Sequence, residues 1–195
     1  NVYLVYDDVS LAPGFPYNAS DKIQSAPSIL DVNGQKVIFI GSKSSKLYAI
    51  NADGSLRFSV DAAGNIFSSP AFLFYQNIFY IFFGDDNGMI YAVDPNGNSL
   101  AGWPISIGSN DKISTSIVFS DLDEDGIAEV IALTDDGRLL AYKIDGSVVP
   151  GYPLFNEHAH KSAPVVVDLD GDGDIELIAA SINNLAVFDL NAADS

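Results

Sequence analysis

The chain has 195 residues, 48% of them hydrophobic, and a mean hydropathy of +0.18, so it can bury a sizeable core and is not a disordered protein. Nine basic residues against 26 acidic ones give a formal charge of −17 and a pI near 4.1. That balance excludes nucleic acid and anionic membrane surfaces as partners, which demand a basic footprint, and the absence of cysteine excludes a disulfide scaffold.

Residues 1–20 contain VYLVYDD and PGFPY, read as the last two strands of a sheet unit. The chain opens at Asn1 with neither Met nor an apolar signal region, as expected of a processed chain or a piece of a longer one. Residues 21–64 follow a pattern that then recurs: a strand opening in SAPSIL, a second in KVIFIG, a polar turn, a third in KLYAI and a glycine turn at Gly54. Residues 65–110 repeat it with SSPAFL, IFYIFFG, MIYAV and Gly97. The most apolar stretch, 71–84, is too short to span a bilayer and is broken at Gln76-Asn77, so it reads as two buried strands rather than a membrane insertion.

Residues 111–157 give TSIVFS, EVIALT, LLAYKI and Gly146, and residues 158–195 give SAPVVV, ELIAAS and NLAVFDL without a final strand. DKIQSAPSILD at 21–31 aligns with DKISTSIVFSD at 111–121 without a gap, and Pro27, Pro70, Ile117 and Pro164 are spaced by 43, 47 and 47 residues. Fourth strands carry Gly102-Trp103-Pro104 and Gly151-Tyr152-Pro153. The fold class expected is all-β: a β-propeller of four-stranded antiparallel blades, with no helix longer than a turn or two. A β-sandwich would not require four copies of one unit. The first strand of each repeat, uniformly apolar or small, is expected to lie innermost. The chain as a whole, 1–195, is read as one propeller unit, partial or completed by another chain, because its ends do not close cleanly.

Two acidic nonapeptides stand out, DLDEDGIAE at 121–129 and DLDGDGDIE at 168–176, which together hold ten of the 26 acidic residues. Carboxylates so close repel one another unless a cation sits among them, and oxygen ligands in this number suit Ca²⁺. A helix–loop–helix calcium site needs a glutamate at position twelve, where Ala132 and Ala179 stand, so each loop is read as a calcium-binding hairpin turn. Asp121, Asp123, Asp125 and Glu129 are expected to give side-chain oxygens and Ile127 a carbonyl. Asp168, Asp170, Asp172 and Glu176 match them, with Asp174 giving a carbonyl and turning its side chain to water. That makes two Ca²⁺ sites.

Strand, acidic DxDxDGxxE loop, strand, glycine-turn strand and Gly-aromatic-Pro strand together resemble the FG-GAP (VCBS-type) repeats of integrin-α-like β-propellers, over essentially the whole chain. The resemblance implies an acidic hairpin between the first and second strands of a blade that binds Ca²⁺. DVNGQK at 31–36 is truncated and FYQN at 74–77 has no carboxylate, so no metal site is expected there.

The function expected is a calcium-stabilised extracellular or cell-surface module, secreted, that binds a protein or glycan in adhesion or surface assembly, without catalysis. Unpaired blade strands offer a route to self-assembly. The alternatives are a calcium-dependent polysaccharide lyase, in which His160 or Lys161 of the His158-Ala159-His160-Lys161 segment would abstract a proton, and an accessory module of a secreted hydrolase. Phe15, Trp103 and Tyr152 are expected to pack in the core rather than stack sugars. Asp85, Asp86, Asp135 and Asp136 read as turn residues open to the rim.

Overall fold

Val37-Ile38-Phe39-Ile40 is apolar at every position rather than at alternate ones, because both faces of its strand are covered. Val37 and Phe39 point into one hydrophobic cluster, and Ile38 and Ile40 into another. The same logic runs through the computed structural model, which describes residues 1–108, 111–155, 159–160, 162–181 and 183–190.

Blade 1 comprises β1 (Ser28–Val32), β2 (Gln35–Ser42), β3 (Lys46–Asn51) and β4 (Leu56–Asp61), hydrogen-bonded in that order and antiparallel throughout. Blade 2 repeats the order with β5 (Ala71–Tyr75), β6 (Ile78–Gly84), β7 (Met89–Val93) and β8 (Ile105–Ser106). Blade 3 is built of β9 (Val118–Ser120), β10 (Glu129–Leu133), β11 (Arg138–Tyr142) and β12 (Leu154–Phe155). Blade 4 has three strands, β13 (Val165–Val167), β14 (Glu176–Ala180) and β15 (Leu185–Asp189). Among the described residues there is no helix. Radially repeated meanders of this kind are the blades of a β-propeller, here an open arc.

The core lies between blades, not within one. Residues 1–17, held by antiparallel bridges between Val2 and Tyr17 and between Val5 and Leu11, lay Val2, Ala12 and Phe15 on Ile38, Tyr48 and Ile50 of blade 1. Blade 1 packs on blade 2 through Phe39, Leu47, Ile81 and Phe83. Blade 2 packs on blade 3 through Phe82, Ile90, Val130 and Leu140, and blade 3 on blade 4 through Ile131, Leu139, Leu177 and Ala179. The outer face of blade 4 leaves Val165, Leu185 and Val187 exposed.

The segments between blades are latched by the same device twice. Ile66 seats on Gly41 and Ile113 on Gly84, so closely that a Cβ on Gly84 would stand 2.2 Å from the Ile113 side chain. The hydroxyl of Ser25 bonds both N–H and C=O of Gly41 at 3.0 Å, and that of Ser68 bonds both groups of Gly84 at 2.8 Å. Thr115 and Ser162 reach the equivalent carbonyls of Leu133 and Ala180.

The first strands form one edge of each sheet, and β9 and β13 of adjacent blades approach each other as strands near a common axis do. They are not the most buried: Ile29 and Val165 are exposed, whereas β2, β6 and β10 each hold fully buried residues. Uniform apolarity there marks an edge with a neighbour on one side only, not the deepest layer.

Candidate metal centre

The centre is built on the hairpins joining β9 to β10 and β13 to β14. In each, the register fixes the last residue of the loop as the first of a buried strand, Glu129 opposite Ser120 and Glu176 opposite Val167. Both glutamates are buried, and each Oε2 accepts a backbone amide from across the loop, Leu122 at 2.7 Å and Leu169 at 2.6 Å. Asp121 Oδ2 accepts the Gly126 amide at 2.8 Å, and Asp168 Oδ1 the Gly171 amide at 2.7 Å, which folds the loop over its own carboxylates.

This brings one oxygen from each of Asp121, Asp123 and Glu129 within 4.8 Å of one another, and likewise one from each of Asp168, Asp170 and Glu176. Asp125 and Asp172 do not join these trios. Asp125 Oδ1 caps the Ile127 amide and Asp172 Oδ1 the Asp174 amide, both within 3 Å. Ile127 is half-buried, and so is Asp174, which borders an open cleft between the two loops with Asp123, Glu124 and Tyr152. Burial raises the Asp174 carboxyl above its ordinary value, and Asp172, Asp189, Glu124 and Asp168 add repulsion.

A residue that the loop pattern alone does not mark completes the first trio. Lys143 Nζ lies 2.5 Å from Asp123 Oδ2 and 3.4 Å from Asp125 Oδ2. Its hydrogen bond lowers the Asp123 carboxyl and raises its own ammonium. Glu129 moves the other way, raised first by burial and then by Asp123 and Asp125, against the lowering effect of the Leu122 amide. The donor set is entirely oxygen, and the Lys143 ammonium already stands in as a cation. The residues therefore fit a hard divalent ion such as Ca²⁺.

The corresponding hairpins of the other blades are held without such a cluster. In blade 1 Asp31, at the register of Asp121, pairs with Lys36 at 2.9 Å and caps Gly34. In blade 2 Phe74 takes that register and packs on Phe79 with ring centroids 4.8 Å apart.

The order and spacing of these parts match a known repeat. Residues 121–179 match the FG-GAP-like repeat. Among solved structures, the chain is similar to BamB from Moraxella catarrhalis, at 24% identity and a TM-score of 0.63, over 89% of this chain and 48% of that one. It is similar to BBS1N, crystallised in complex with ARL6DN, at 11% identity and a TM-score of 0.64, covering 86% and 54% of the two chains. The PilY1 C-terminal domain of Pseudomonas aeruginosa matches at 15% identity and a TM-score of 0.63, covering 80% and 43%. These are β-propeller proteins, and the chain spans about half the length of each. Among curated proteins, none matches. The fold is thus a β-propeller arc, with the FG-GAP-like repeat over the two acidic hairpins.

The other candidates resolve as follows. His160 is buried, with its ring 6.0 Å from that of Phe188, a setting unlike that of a solvent-facing base, while His158 and Lys161 lie outside the described residues. Trp103 is buried, meets Phe82 and Tyr142 edge-on and donates from Nε1 to Ile144 O at 2.9 Å; Phe15 is buried too, and Tyr152 half-buried, so the aromatics serve the core. Asp85 is not a rim residue. It is fully buried and accepts the amides of Gly64, Asn87 and Met89 and the Tyr91 hydroxyl, all within about 3 Å.

Proposed function

We propose that the chain is a calcium-stabilised propeller module that works outside the cell or at its surface, presenting its loops to a protein or glycan partner and performing no chemistry of its own. The observation that carries this reading is the recurrence of the carboxylate trio at the same register in adjacent blades. Repetition at equivalent positions suits ions that pin hairpins better than a single reaction centre. Hairpin sites of a few loop carboxylates suit the weak affinities of extracellular modules, matched to the millimolar calcium found outside cells. A protein partner is supported in kind by the BBS1N propeller, which is seen in complex with ARL6DN. Adhesion or surface assembly is the context proposed, with the open edges of the arc as a further route to self-assembly.

The test is thermal melting in calcium and in chelator. At ligand one hundred times its dissociation constant, one site adds about 2.7 kcal/mol, so the curves should separate clearly. Asp170→Ala should remove most of one site's share. Superimposed curves in calcium and chelator would leave the two loops as acidic turns and remove the reading.

A further inference from the structure

The two acidic hairpins share their loop pattern but not the strand residue beside it. In β11 the pair Tyr142–Val130 is followed by Lys143, which reaches Asp123 and Asp125. In β15 the equivalent pair, Phe188–Leu177, is followed by Asp189, which pairs in register with Glu176. One ammonium has been exchanged for one carboxylate at the same place, a difference of two unit charges between otherwise matching sites.

Resting on the calcium reading above, we infer that the two sites are unequal by construction: Lys143 is a tethered cation that competes with the metal for the blade 3 hairpin, and Asp189 reinforces the blade 4 hairpin. A divalent ion entering blade 3 must displace an ammonium already seated on Asp123, whereas an ion entering blade 4 meets one more negative charge. Ligand charge count sets the affinity of such oxygen sites, so blade 4 fills first. The converse holds without metal. The blade 3 hairpin keeps an internal counter-ion, as the Asp31–Lys36 pair does for blade 1, while the blade 4 hairpin has the Asp189 carboxylate in register with Glu176 where blade 3 has the Lys143 ammonium.

The experiment is calorimetric titration of the whole chain with calcium alone, beside Asp123→Ala and Asp170→Ala to assign the sites and Lys143→Gln to remove the competitor. The expected result is two classes of site, the tighter lost in D170A and the weaker lost in D123A. K143Q should tighten the weaker class alone by about two- to fivefold, as expected when an exposed ion pair no longer has to be broken. Hydrogen exchange in chelator provides a second readout: the Leu169 amide should exchange faster than that of Leu122, and K143Q should narrow the gap. Two equal sites indifferent to K143Q, or a weaker class assigned to blade 4, would overturn the inference and leave the calcium reading standing. Absence of calcium binding in every protein would overturn both.

Discussion

Glu129 Oε2 accepts the backbone amide of Leu122 at 2.7 Å, inside a hairpin where both groups are buried. The bond closes the loop whether or not an ion is present. Glu129→Ala should therefore cost about 1–3 kcal/mol even in chelator, because a buried amide loses its acceptor, while Glu129→Gln keeps an oxygen there and should cost less. Urea melts of the two variants in chelator measure the difference. Equal costs would show that the carboxylate's contribution is charge rather than closure.

Acidity should act in opposite directions with and without calcium. Burial raises the Glu129 carboxyl in the folded chain, so its contribution to stability is fully present below the ordinary glutamate value of 4.5 and is lost as pH rises through the raised folded value. In chelator, lowering the pH from neutral towards 4.5 should raise the melting temperature, and Glu129→Gln should flatten that rise. Asp123, held low by Lys143, gives its stability above 3.8 and loses it only on further acidification. In calcium, acidification should lower the melting temperature as protonated ligands release the ion.

Glu124 stands at a φ of 56°, where its counterpart in the second loop is Gly171 at 82°. A side chain in the left-handed region costs about 1 kcal/mol, and glycine adopts it freely. Glu124→Gly should stabilise the metal-free chain by about that amount and also remove one of the charges that raise Asp174. A fall in melting temperature would mean that the Glu124 side chain makes a contribution larger than its backbone strain.

Gly84→Ala should be among the most damaging single changes, since the new methyl would overlap the Ile113 side chain at a buried junction. Overpacking of this kind costs about 1–3 kcal/mol. Pairing it with Ile113→Ala, which removes the Cγ2 methyl that the new Cβ would meet first, should cost less than the sum of the two single changes, and a double-mutant cycle by chemical denaturation checks the coupling. Additive effects would place the strain elsewhere.

Much of this was legible because repetition multiplies weak signals. Pro27, Pro70, Ile117 and Pro164 each mark the approach to a first strand, and the acidic nonapeptides announce themselves by composition. What escaped was whatever depends on a partner distant in sequence. Lys143 is an ordinary end-of-strand lysine until the hairpin places it on Asp123, twenty residues earlier. Asp85 reads as a turn residue because its four donors come from both sides of the turn and from the segment entering the blade. The hydroxyls of Ser25, Ser68, Thr115 and Ser162 recur two places before the repeat marker. Their common role as clamps on the second strand emerges only once the backbone groups they meet are known. Deep burial of the first strands failed as an expectation because composition reports how apolar a strand is, not how many neighbours it has.

Each hydrophobic cluster is shared by two adjoining units, with Ile66 and Ile113 seated at two of the joints. Cohesion in such an array is a sum over adjacent pairs, so resistance to opening is graded along the chain rather than uniform. Blade 2 is gripped from both sides and blade 4 from one. Under mild denaturant the sheet of β13 to β15 should peel away first, as a separate early step, while the amides of β6 and β10 remain protected until the whole arc gives way.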